Sequence, residues 1–353
     1  MDFTLDEAGA AVAEAADEVV NRLSPDWTAA FDADGFDRAA WAALTGAGLT
    51  VLGLPVTAGG DGLALDALAP LAVRAGRGAV VTPLIATLTG TAALAHDDEA
   101  ARRWAPVVTG GGWFAVALGE RNPAPGAPSR LALDAAGRLS GTAVGVQFAE
   151  GAGALLVQIA GGAAVVDPSA PGVLLTRTPS STGAAEFAVT FDGAQPAAVL
   201  DGAPLGDVYR ALCAAYADGL LAGAMERTAA HVSERQQFGK PIAAFQAVGQ
   251  QLADVYVVSR TLHLIATSAA WRLAAGRNAD EDLATASYWL AAELPAALRT
   301  MTHLHGGIGV DRSYPLHRYF SLAKDLARLA GGSTAALDAL ADVTVKEAAC
   351  SPN

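Results

Sequence analysis

The chain has 353 residues, 52% of them apolar and 6% aromatic, with a formal charge of −13. That length accommodates two or three domains, and the alanine-rich apolar fraction supports a large core. An acidic balance argues against nucleic acid and anionic membrane surfaces, which both select basic patches. Cys213 and Cys350 give neither a disulfide framework nor a metal-ligand spacing. The acidic start, Met1 to Glu7, lacks the basic region of a signal peptide, and no uninterrupted apolar run reaches bilayer-spanning length. A cytoplasmic protein is the expectation.

Residues 5–108 read as helical, with alanine-rich periodic stretches broken by turn clusters. One break, residues 57–62, is glycine-rich, but no Lys-Ser/Thr follows, so a P-loop is a poor reading. The texture changes at Gly110-Gly111-Gly112. Short alternating runs follow at 114–118, 138–144, 154–159, 172–175 and 187–191, with glycine and proline between them. They predict a β-barrel or sandwich of about ninety residues. Helical periodicity returns near Leu205, where Val208, Leu212, Ala215, Gly219, Ala222, Met225, Ala229 and Val232 step by three or four. The small residues Gly219, Ala222 and Gly223 would let another helix approach closely. Further helices are predicted near 245–275, 282–303 and 333–349. The expected fold class is therefore α+β, mostly α, with a helical domain at 1–110, a β domain at 111–203 and a helical bundle at 204–353.

The most informative stretch runs from Glu234 to Gln246. A helix ends near Arg235, Gly239 and Pro241 supply helix-stop chemistry, and a second helix begins near Gln246. So tight a join sets Arg235 and Gln246 at one end of a hairpin. A guanidinium fork suits a pyrophosphate and a glutamine amide suits a purine edge. Arg235 could equally complement a helix dipole while Gln246 caps a turn; the residues alone leave both readings open. His231, His263, His303, His305 and His317 include no pair at metal-ligand spacing with a carboxylate between, so no metal site is expected. Neither Ser180-Ser181 nor any other serine sits in a nucleophile elbow.

The run Arg235-Gln236-Gln237-Phe238-Gly239-Lys240-Pro241-Ile242-Ala243-Ala244-Phe245-Gln246, followed by Leu252-Ala253-Asp254, resembles a signature of the acyl-CoA dehydrogenase family. His305-Gly306-Gly307-Ile308-Gly309 and Pro315-Leu316-His317-Arg318-Tyr319 resemble its second signature. The resemblance implies an N-terminal helical domain, a middle β-barrel and a C-terminal four-helix bundle. It also implies FAD: Arg235 at the pyrophosphate, Gln237, Phe238 and Gln246 at the adenosine end, and Gly306 and Gly307 close to the cofactor. His303 stands where the family usually has Gln, and it is counted among the cofactor-contacting positions.

Proton abstraction from an acyl-CoA needs a positioned carboxylate. By the resemblance, the two positions that carry this base hold Tyr209 and Gly331 here, so no catalytic base is assigned. Asp218 is the candidate for a displaced one. The flavin-ring segments also depart from the family: residues 118–128 keep an acid at Glu120 but lack Gly-Ser-Asp, and residues 141–148 have no Trp. A chain with the adenosine-side elements but no base resembles the non-catalytic subunit of an α2β2 acyl-CoA dehydrogenase, as in actinobacterial steroid side-chain oxidation. The implied partners are a homologous catalytic subunit, the acyl-CoA substrate and an electron-transfer flavoprotein. The alternatives are a self-sufficient homotetramer and a flavin-free structural paralogue.

Overall fold

A computed structural model of the chain describes residues 4–31, 34–118 and 131–350. Five helices come first: α1 (Glu7–Arg22), α2 (Arg38–Gly46), α3 (Leu65–Arg77), α4 (Leu84–Leu94) and α5 (Asp98–Thr109). Three start on an aspartate N-cap. Asp6, Asp37 and Asp97 accept hydrogen bonds from Gly9 N, Ala40 N and Ala100 N at 2.7, 2.9 and 2.8 Å, satisfying amides that a helix start leaves bare. The glycine-rich break at 57–62 is a 3₁₀ turn, Val56–Ala58, ended by Gly59 at φ 86°.

Eight strands follow: β1 (Phe114–Ala117), β2 (Ala132–Leu133), β3 (Leu139–Gln147), β4 (Ala154–Ile159), β5 (Gly162–Val166), β6 (Val173–Thr178), β7 (Glu186–Ala194) and β8 (Ala198–Asp201). They form two four-stranded sheets, β1-β4-β5-β8 and β2-β3-β7-β6, parallel only between β1 and β4. The expected barrel is thus built as two sheets whose inward residues, such as Leu156, Val165, Val146 and Phe191, join one core. Phe36 ties this region to the first helices, meeting Trp41, Trp113 and Phe148 edge-on at 6.5, 5.2 and 5.5 Å.

The remaining helices are α6 (Leu205–Glu234), α7 (Gln246–Ala274), α8 (Asp280–Tyr288), α9 (Leu294–His305), α10 (Leu316–Leu329) and α11 (Ser333–Cys350). Between α6 and α7 lies a two-residue ladder, β9 (Gln236–Gln237) with β10 (Lys240–Pro241). A π-turn at Trp289–Glu293 joins α8 to α9, and Leu294 N bonds back to Trp289 O. Pro295 has no amide to donate four residues back, which loosens the ladder at this place. Helix α10 was not anticipated from periodicity, because the Pro315–Tyr319 motif drew the reading to its local signature. Among the described residues no helix is long and apolar enough to cross a membrane.

The predicted stripe on α6 understates its burial. From Leu205 to Ala224 only Asp207, Arg210 and Ala222 escape full burial, whereas Ala229 is exposed. Glycines explain how α3 reaches this helix. A Cβ built on Gly219 would lie 1.8 Å from Val73 O, one on Gly76 1.9 Å from Tyr216 O, and one on Gly223 2.3 Å from Arg77 O. The backbones touch where side chains would normally stand. Gly219→Ala should therefore destabilise the fold by about 1–3 kcal/mol or more through overpacking. Gly249→Ala, in the open space beside α7, should be neutral or gain about 0.5–1 kcal/mol from helix propensity. Urea midpoints of the two variants check the contrast.

Candidate functional site

The hairpin after α6 is shaped by its two central residues. Phe238 (φ 53°) and Gly239 (φ 78°) both take the left-handed conformation, as a type I′ turn requires. For phenylalanine this is strained, and its ring is 92% exposed; strain and exposure together mark a segment shaped for contact. Arg235 caps α6, donating from its backbone to His231 O at 2.9 Å and accepting from Ile242 N at 2.8 Å. Its side chain is exposed, as are those of Gln237 and Gln246, the first residue of α7. Phe245 meets Phe238 edge-on at 6.2 Å and carries Lys240 Nζ 4.3 Å above its ring.

The second motif lies beside the first. His305 closes α9 and stacks on His231 of α6 with ring centroids 4.3 Å apart and 19° between planes. Its Nδ1 donates to Met301 O at 2.8 Å, and Tyr314 Oη lies 3.1 Å from Nε2. Burial holds both imidazoles below the usual histidine range; Arg235 adds to the effect on His231, and His231 to that on His305. Beyond His305 the chain turns at Gly306 (φ 66°, ψ −142°), a conformation open essentially to glycine alone. A Cβ on Gly306 or Gly307 would meet nothing within 4 Å. His303 is exposed on α9.

The hairpin exposes a guanidinium, two amides and an aromatic ring, and the turn joined to α6 through the His231–His305 stack adds two glycines whose Cβ positions are open. They suit the pyrophosphate and adenine of a dinucleotide. The flavin-ring candidate Glu120, with the rest of residues 119–128, lies outside the described residues.

The two positions expected to carry a base, Gly331 and Tyr209, have structural surroundings of their own. Gly331 and Gly332, at φ 88° and 84°, end α10 by returning hydrogen bonds to Arg328 O and Ala327 O at 3.0 Å each. This is helix-stop geometry in which a glutamate would be strained. Tyr209 is buried on α6, and burial pushes its phenol well above the usual range. Cys213, one turn on, is pushed up to about 12 by the same cause. Asp218 neither lines the cavity described next nor stands free; its Oδ2 lies 2.9 Å from His263 Nδ1 of α7.

Tyr209, Cys213 and Tyr216 project into a cavity of about 50 Å³ between α6, α10, β3 and the loop before α4. Pockets for small molecules run to about 300–1,000 Å³; as the described residues line it, this cavity is far smaller. Tyr216 crosses it to donate to Val80 O at 2.9 Å. Asp325 is the only carboxylate in its lining, and both oxygens are occupied: Oδ1 accepts from Ser181 N at 2.7 Å, Oδ2 from Thr182 N and Oγ1 at 3.0 and 2.8 Å. Sequence reading missed this clamp because α10 itself was missed.

The comparisons with known proteins bear on this arrangement. Residues 207–343 match the family "Acyl-CoA dehydrogenase, C-terminal domain". The chain is 44% identical over 312 residues to acyl-CoA dehydrogenase FadE28 of Mycobacterium tuberculosis, covering 85% of this chain and 91% of that protein. The chain belongs to the acyl-CoA dehydrogenase family. Among solved structures it resembles a variant of the Tcur3481-Tcur3483 steroid ACAD, at 34% identity and TM-score 0.86 over 98% of this chain and all of that one. It also resembles a chain of the ChsE4-ChsE5 complex from Mycobacterium tuberculosis, at 31% identity and TM-score 0.86 over the full length of both.

Glu186 lies against the clamp, 2% exposed, and pairs with Arg328 and Thr178. Burial outweighs these partners and raises its carboxyl above the ordinary value. The folded state therefore holds this proton more tightly than the unfolded chain, and stability falls as pH rises through the folded-state value. Glu186→Gln carries no such loss. Its urea midpoint relative to the parent should move in its favour as pH rises above the ordinary carboxylate value. A difference that moves the other way would show that the Arg328 pair dominates.

Proposed function

We propose that this chain is the non-catalytic subunit of a heteromeric FAD-dependent acyl-CoA dehydrogenase, completing an FAD site shared with a homologous, base-bearing subunit. The observation that carries this reading is the lining of the cavity beside Tyr209: about 50 Å³, with Asp325 engaged by Ser181 and Thr182 and, among the described residues, no free carboxylate. The open face at the α6–α7 hairpin supports the other half of the reading, as does exposed apolar surface on α7 at Tyr256, Val257 and Leu264, which suits burial against another chain. The ChsE4-ChsE5 and Tcur3481-Tcur3483 likenesses point the same way. The steroid named with the second favours a steroid side-chain CoA ester as substrate. An electron-transfer flavoprotein would reoxidise the complex, and the cytoplasm is its compartment.

Bound FAD supplies the hydride acceptor for α,β-desaturation. This chain's part is binding and orientation. Arg235 offers its planar fork to the pyrophosphate; Gln237, Gln246 and the ring of Phe238 border the adenosine, with His303 at the rim. Gly306 and Gly307 let the backbone approach. Proton abstraction falls to the partner, because a phenol raised by burial cannot take a proton at neutral pH and Asp218 is held by His263.

Two outcomes follow. The isolated chain should hold little FAD, whereas the co-purified complex should carry one per pair of unlike chains; a stoichiometric flavin spectrum from the lone chain would sink the proposal. In the complex, Arg235→Ala should remove a charge-assisted contact of about 1.5–3 kcal/mol, loosening FAD roughly ten- to hundredfold. Arg235→Lys should not restore it fully, since the fork is lost. Flavin fluorescence titration measures both, and a parent-like R235A complex would return Arg235 to the role of a helix end.

A further inference from the structure

The two motifs lie seventy residues apart in sequence between Arg235 and His305, yet the stacked rings of His231 and His305 bring the end of α6 against the turn at Gly306. We propose that His231 and His305 are positioning residues: their stacked imidazoles lock the turn at Gly306 to the end of α6, so that Arg235 and the Gly306–Gly307 backbone address the same cofactor group. This inference rests on the proposed FAD role of that face.

The geometry supports a lock rather than a casual contact. His231 lies one helical turn before Arg235, and His231 O accepts the Arg235 amide at 2.9 Å. His305 immediately precedes Gly306, whose own amide bonds to His303 O. Each ring is thus one step from a proposed cofactor contact, and the rings meet at 4.3 Å and 19°. The hydrogen bonds fix the His305 ring from its other edges. A carbonyl can only accept, so the contact with Met301 O places the proton of the neutral ring on Nδ1. Nε2 is then the acceptor for Tyr314 Oη. Tyr314 lies beyond the turn, so His305 is held on both sides of Gly306–Gly307. A Cβ at either glycine would meet nothing within 4 Å, so the turn takes its position from its neighbours, His305 on one side and the buried Gly309 on the other.

Burial keeps both rings neutral at physiological pH. The lock therefore brings no second cation to compete with Arg235 for an anionic group. Any planar ring at position 231 should serve, and an aliphatic one of similar bulk should not.

The test is a double-mutant cycle on FAD affinity in the assembled complex, read by fluorescence titration, with assembly checked by gel filtration. His231→Leu should loosen FAD about tenfold, and His231→Phe should stay within about threefold of the parent. The Arg235→Ala penalty, ten- to hundredfold in the parent, should shrink at least threefold in the H231L background, because residues that act as a unit are non-additive. A purely structural role would leave the Arg235→Ala penalty unchanged. Additive penalties, a parent-like H231L complex, or equal losses in H231L and H231F would each overturn the proposal.

Hydrogen exchange on this chain without FAD separates this inference from the proposed function. The 303–310 segment should exchange at least tenfold faster in H231L than in the parent, with the 205–224 amides unchanged. Unchanged exchange at 303–310 would overturn the lock. Absence of FAD from the parent complex would instead overturn the functional reading, leaving exchange to decide whether the lock exists.

Discussion

The close approach of α3 to α6 governs the rest of the structure. Gly76, Gly219 and Gly223 remove the side chains that would hold two helices 8–10 Å apart. α6 is thereby sunk into the N-terminal helices, and its first two-thirds is buried on nearly every face. Polar contacts then fix the angle. Tyr319 Oη of α10 donates to Arg77 O at 2.6 Å, and Arg227 of α6 donates to that same hydroxyl at 3.1 Å. α3, α6 and α10 become one packed unit, and the proposed cofactor contacts are placed at or beside the end of α6.

The narrowness of the cavity beside Tyr209 follows from that unit. With α6 drawn against α3, the space between α6, α10 and β3 is filled by Tyr209, Cys213, Tyr216 and Leu322, and clamped by Asp325. Active sites are costly to stability because they keep polar groups unpaired and cavities open. A subunit relieved of catalysis can close both. The double glycine ending α10 belongs to the same economy of form: its left-handed backbone stops the helix cleanly where a base-bearing loop would have to carry strain.

Much of this was legible in the sequence. The helical–β–helical order, the long helix from Leu205 and its tolerance for a close neighbour came from periodicity and small residues. The motif at Arg235–Gln246 was readable because helix-stop chemistry is local. What escaped reading was non-local. The stripe proposed for α6 included Ala229, which the structure exposes, because periodicity cannot say where a helix leaves its neighbours. Helix α10 hid behind its own motif, and with it went the Asp325 clamp, whose partners Ser181 and Thr182 lie more than 140 residues away. The partner of Asp218 was equally invisible: a buried acid demands a counterpart, but nothing in sequence names His263 forty-five residues on.

The two ends of α6 differ in their surroundings. Its thirty residues span about 45 Å at 1.5 Å per residue, so the narrow cavity near Tyr209 and the exposed hairpin at Arg235 are far apart on one rod. A rod buried along its first two-thirds cannot shift at its far end without disturbing the α3 contact. The exposed groups beyond Met225 are therefore presented from a fixed base, as a cofactor contact reaching toward another subunit requires. On the proposed reading, the missing base at one end and the presented contacts at the other have the same cause: a helix too well packed to open a site of its own is well suited to hold part of a partner's.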